Sequence, residues 1–181
     1  MKSNNLQEYI SATRIRLRKT SPFFAALSLY AEIEFTTKVQ LAATNGKKIF
    51  FNPITYIKLP ILERDGVYLH ELLHMALLHN LRRGTRDHKI FNIAADIVVN
   101  GMIVNEGDCN IPKFGITDPE LEDLSVEEIY EILIKNKNEY EDYFMDLIND
   151  DMKNEKNEDI DNKDLEGNGI DDNYETGLSD L

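Results

Sequence analysis

The sequence predicts an α+β fold, mostly helical, with one small antiparallel β-hairpin and a disordered acidic C-terminal tail. Three observations carry this reading. Apolar residues recur at helical spacing through much of residues 1–136, β-branched and aromatic residues gather on either side of Asn45-Gly46, and charge is unevenly divided. Residues 1–136 hold 17 acidic and 16 basic side chains, whereas residues 137–181 hold 16 and 4. The net charge of −13 therefore belongs almost entirely to the last quarter of the chain. A length of 181 residues accommodates one core of ordinary size and a tail, so the expected division is a folded domain over 1–136 and an acidic tail over 137–181.

Residues 3–19 form the first predicted helix, with Leu6, Tyr9, Ile10, Thr13 and Leu17 along one stripe. Ser21 and Pro22 are an N-cap and first-turn pair for a second helix reaching about Tyr30. FTTKVQLAA and KKIFF then read as two antiparallel strands around Asn45-Gly46, a pair that tolerates the positive φ of a tight turn. Pro60 opens a long helix to about Leu81, apolar on most faces from Val67 onward and therefore buried. Gly84 ends it, and a further helix runs from Asp87 or His88 to about Val104. Ser125 and Glu128 make a capping box for a last helix, SVEEIYEILIKN. Beyond residue 150 apolar residues are too sparse for a packed core.

The single cysteine, Cys109, reads as an inert, half-buried thiol and gives no sign of an oxidising compartment. No segment approaches the ~20 apolar residues of a membrane span, and the start lacks the apolar core of a secretory signal. The expectation is a soluble cytoplasmic protein. Arg14, Arg16, Arg18 and Lys19 form a basic cluster without a nucleic-acid motif around it, which argues for an ordinary solvated face.

Chemistry concentrates in HELLHMALLH, residues 70–79, which holds three of the four histidines. Helical residues four apart differ by about 40° around the axis and about 6 Å along it, so His70 and His74 can share a cation. Glu71 lies about 100° from His70, placed to reach a water beside that cation without ligating it. This HExxH pattern is the arrangement in which Zn2+ acidifies a water and a carboxylate takes its proton.

For the third ligand two candidates stay open. His79 lies nine residues after His70, about 900° on a continuous helix and hence on the opposite side, and no helix breaker stands between. If the chain reverses at Gly84-Thr85, residues equidistant from 85 return to similar heights, which sets Asp96 beside His74, Asn100 beside His70 and Phe91 beside His79. Asp96 is therefore the favoured ligand and His79 the alternative. Asn92 and Asn100, one turn either side of Asp96, are candidates to orient a ligand. Arg82 and Arg83 are candidates to neutralise a developing oxyanion, and His88 reads as a solvated loop residue.

The stretch HELLHMALLHNLRRGTRDHKIFNIAADIVVN resembles the metallopeptidase-like domain that often precedes a von Willebrand A-like domain in bacterial proteins, a zincin-like family. The likeness lies in HExxH, the later His79, the arginine after it and the form N-I-A-A-D-x-x-x-N, and extends over residues 5–135. It implies a zincin-like fold and a zinc-dependent peptidase with His70, Glu71 and His74 in the family roles. His79 also fits the family pattern, as ligand or as support to a ligand. An acidic tail stands where the A-like domain would, and such a short version suggests a phage or mobile-element setting.

The expected activity is hydrolysis of a peptide bond in a peptide or protein substrate, with Glu71 as general base. A strand near Lys48 to Phe51 is expected to align the substrate by edge pairing. The alternative is a non-catalytic, metal-stabilised module whose acidic tail recruits a basic protein partner. A third reading places calcium on DLEGNGIDDNYE, residues 164–175, which has Asp, Glu, Asn, Gly and a final Glu at EF-hand loop positions but Asp171 where an apolar residue belongs.

Overall fold

A computed structural model describes residues 3–136. The amphipathic stripe of the first segment forms α1 (Ser3–Thr20), which buries Leu6, Ile10, Thr13 and Leu17 and leaves Tyr9 at the rim, its ring 4.3 Å from the Arg64 guanidinium. Pro22 opens α2 (Pro22–Ser28), which ends two residues earlier than expected. Ser21 has the extended backbone of an N-cap but makes no side-chain cap bond.

The sheet departs from the expected hairpin. It has three strands, β1 (Glu32–Phe35), β2 (Ala42–Thr44) and β3 (Lys48–Phe51), in the order β1-β3-β2. β2 and β3 are the antiparallel pair, with Thr44 opposite Ile49, and Gly46 at φ 81° makes their turn possible. β1 adds on the other side of β3, parallel to it, so FTTKVQLAA is not one strand. Side chains draw residues 36–41 out of the ladder: Lys38 N–H donates to Thr36 Oγ1 (3.2 Å), and the Asn52 amide donates to Val39 O (2.7 Å). Lys48–Phe51 is consequently the central strand, and edge pairing there is ruled out because both of its sides are already paired.

Asn52 also caps α3 (Pro53–Tyr56), accepting from Ile54 N–H at 2.9 Å, a short helix not expected from the sequence. The predicted helix from Pro60 to Leu81 is two helices, α4 (Ile61–Ala76) and α5 (His79–Arg82). Asp87 caps α6 (His88–Glu106) through Ile90 N–H, and Gly107 at φ 76° ends it. α7 (Val126–Lys135) has the full capping box of Ser125 and Glu128. No helix among the described residues is long and apolar enough to cross a membrane.

Two apolar clusters meet along α6. Val99 and Ile103 belong to one with α1, α4 and the sheet, while Ile90, Phe91, Ile93 and Ile97 pack with Ile129, Tyr130 and Leu133 of α7. Cys109 is buried in the first cluster, and burial, then the Asp65 and Asp108 charges, push its thiol up to about 11, as befits the inert thiol expected.

The α1–α4 contact is locked by a polar clamp. Asp65 is buried, and its carboxylate accepts from Thr13 Oγ1 (2.6 Å) and from Arg16 Nε and Nη2 (2.5 and 2.6 Å). Removing Arg16 leaves the buried Asp65 charge without its cation. Arg16→Ala, which strands the buried carboxylate, is therefore expected to lower unfolding free energy by about 3 kcal/mol in denaturant titration, whereas Glu34→Ala, which breaks a solvent-exposed pair with Lys48, should cost under about 1 kcal/mol.

Candidate metal centre

Burial on α4 runs unbroken from Asp65 to His74, so the HELLH stretch lies inside the domain with His70, Glu71 and His74 each at most 1% exposed. α6 crosses behind it and brings up Asp96, itself 4% exposed. Asp96 Oδ1 stands 3.3 Å from His70 Nε2 and 3.0 Å from His74 Nε2, and the two Nε2 atoms are 2.9 Å apart. These three ligand atoms fall within 4.8 Å of one another, the one such His/Cys/Asp/Glu group among the described residues that could hold a metal ion.

The outer partners of the rings decide which nitrogen faces inward. Asn100, fully buried, donates its amide N–H to Ile116 O (2.8 Å), which fixes its Oδ1 toward His70 Nδ1 at 2.9 Å. A carbonyl oxygen only accepts, so His70 carries its proton on Nδ1 and presents the bare Nε2 to Asp96. A lone pair and a carboxylate oxygen thus aim at one buried point where Asp96 Oδ1 makes no hydrogen bond to a committed donor. Like-natured acceptors converging away from water want a cation, and two imidazoles with a carboxylate suit a divalent metal of borderline softness.

Charge follows the same logic. Burial works against the Asp96 carboxylate, but the adjacent imidazoles of His70 and His74 hold its pKa below the usual value. For His70, burial is outweighed by Asp96, with Glu71 and Asn100 helping, and its pKa is raised. His74 is pushed down by burial and by the His70 charge.

His79 is the main surprise of the site. The chain leaves α4 through Leu78, whose backbone is left-handed at φ 55° and ψ 37°. That turn cancels the rotation of a continuous helix and brings His79 back, wholly buried, with Nδ1 3.1 Å from His74 Nδ1. The expectation that His79 points to the opposite side is therefore corrected. It meets His74 at Nδ1, the ring nitrogen other than the one beside Asp96, and is absent from the ligand-atom cluster. Its ring meets Phe91 edge-on at 6.4 Å, as the reversal at Gly84-Thr85 predicts.

The remaining candidates are distributed around this centre. Arg82 is tied to Glu127 of α7 through both carboxylate oxygens (3.1 and 2.6 Å) and donates to Leu77 O, which commits its guanidinium to the α5–α7 junction. Arg83 is half-buried after α5, Asn92 is buried one turn before Asp96, and His88 is half-buried at the start of α6. The outer contacts of the His70 and His74 rings run to Asn100 and His79 instead. Sequence reasoning did not find Ile116, because it acts through a backbone carbonyl, nor the turn at Leu78, where no glycine or asparagine marks the left-handed position.

Comparison with known families agrees with this geometry. A family model described as "Putative metallopeptidase domain" matches residues 6–175, nearly the whole chain. The chain belongs to this family. The match runs on past residue 136 into the acidic segment, whose residues 137–181 lie outside the described structure together with the expected disorder and the EF-hand-like DLEGNGIDDNYE. No curated protein and no solved structure matches the chain.

Two outcomes follow. A half-exposed leucine at positive φ is strained by about 1 kcal/mol, so Leu78→Gly should keep or raise thermal stability, while Leu78→Val, worse in that region, should lower it by about 1–2 kcal/mol. In chelator-treated protein, burial first, then the His74 charge, depresses His79 from 6.5 to about 2. The unfolded chain then binds a proton that the native one refuses, so stability falls as pH drops below 6.5. His70, shifted the other way, opposes the trend, and denaturant titration of His79→Phe against pH should show a slope flatter by up to about 1.4 kcal/mol per unit.

Proposed function

We propose that the protein is a zinc-dependent peptidase of the HExxH type, with His70, His74 and Asp96 holding the metal and Glu71 as general base. The supporting observation is the convergence of those three buried ligand atoms on one point. Zinc bound there would polarise a peptide carbonyl and render a water acidic near neutral pH. Glu71, next to His70 in the chain and close enough for its charge to raise that imidazole, would take the proton from the water and return it to the leaving amine. Asn100 would hold His70 in the productive ring orientation.

One observation favours the second reading, a metal-stabilised interaction module. Glu71 and both histidines are closed off from solvent, so hydrolysis requires a movement that opens the site, whereas a structural metal requires none. In that reading the acidic segment 137–181 would recruit a basic protein.

Metal analysis and peptide cleavage on purified variants separate the readings. Asp96→Ala should empty the site, and His79→Ala should leave it loaded at micromolar zinc. Glu71→Gln should retain zinc while the cleavage rate falls by about 10²-fold or more. Wild-type protein that holds zinc yet cleaves no member of a peptide library, with Glu71→Gln indistinguishable from it, would leave the module.

A further inference from the structure

We propose that His79 is a positioning residue that sets the tautomer of His74 and thereby the affinity of the centre for its metal; the inference rests on the reading that His70, His74 and Asp96 are the ligands. The two histidines of α4 are supported differently. His70 faces the Asn100 carbonyl oxygen, which can only accept, so the inner nitrogen of the neutral ring is bare. His74 faces another imidazole, Nδ1 to Nδ1 at 3.1 Å, and a single hydrogen lies between them.

That hydrogen has two possible owners. If it belongs to His74, the ring donates outward, its Nε2 presents a lone pair beside Asp96 Oδ1, and His79 carries its own proton on Nε2. If it belongs to His79, His74 must carry its proton on Nε2, which then donates into Asp96 and occupies the place a cation would take. Each ring keeps one proton in both arrangements, so the choice alters no net charge. It decides whether the site offers two lone pairs or one.

The placement of His79 fits this task. It is fully buried, held against Phe91, and reached only by way of the left-handed Leu78. Among the described residues its buried Nε2 has no hydrogen-bond partner, so the contact with His74 is the polar tie that orients the ring. Losing a residue that orients a metal-binding histidine typically weakens metal affinity by about 10–100-fold.

The test uses the full chain and zinc itself. Chelator competition should give His79→Phe stoichiometric zinc binding that is about 10–100-fold weaker than wild type, with His79→Gln, which restores an acceptor, recovering part of the loss. Nitrogen-15 NMR of the zinc-loaded wild type should show His74 protonated at Nδ1 and His79 at Nε2. The absorption spectrum of the cobalt-substituted protein should be nearly the same in wild type and His79→Phe, because no ligand is lost. Wild-type affinity in both His79 variants, or His79 appearing in the NMR spectra as a zinc-bound ring, would overturn the assignment, and the NMR result decides it even if His79→Phe does not fold. Wild-type protein that binds no zinc would instead bring down the metal reading, and this inference with it.

Discussion

The contact on which the rest depends is that of the Asp96 carboxylate with the inner nitrogens of His70 and His74, made across the α4–α6 packing in the middle of the domain. A carboxylate and two imidazoles removed from water are costly unless each satisfies the others or shares a cation. The surrounding structure keeps them in register. α4 is clamped to α1 through Asp65, Thr13 and Arg16, and α6 is fixed at its start by Asp87 and along its length by packing on α7. The ion cluster is thus held between two elements that have independent reasons to be where they are.

The break between α4 and α5 serves the same centre. Had the helix continued through Leu78, His79 would face away and His74 would lose its outer partner. The left-handed residue costs some strain, which the short α5 offsets by contacts at both its sides. Asn80 donates to Asn45 O of the β-hairpin turn, and Arg82 grips Glu127 of α7. The His70–His74–Asp96 cluster, the β2–β3 turn and α7 are joined through four residues of α5, so a change in any one of them bears on the orientation of His79.

Much of this was legible beforehand because it depends on local spacing. The stripe of α1, the capping box of α7, the Asn45-Gly46 turn and the His70–His74 pair follow from periodicity and turn chemistry. The pairing of α4 with α6 was legible through a mirror argument about Gly84-Thr85, and it placed Asp96, Asn100 and Phe91 beside the right histidines. That argument survived the broken helix because the break redirects the chain after His74 without changing where α6 returns.

What failed were readings that depended on partners far away in the chain. Residues 36–41 look like strand but surrender to side-chain hydrogen bonds from Thr36 and Asn52, and β3 becomes central because β1 finds it in parallel. His79 looks helical because Met75 to Leu78 contain no breaker, yet burial of an imidazole against His74 and Phe91 outweighs the strain of one leucine at positive φ. By itself the sequence determined the adjacency of His70 and His74, the place of Glu71 beside them and the helices that carry them, since 3.6-residue periodicity acts over a few neighbours. Only the tertiary structure decided how the cluster is completed and how it is held, because a left-handed turn and the contact of His79 with His74 are set by packing between elements.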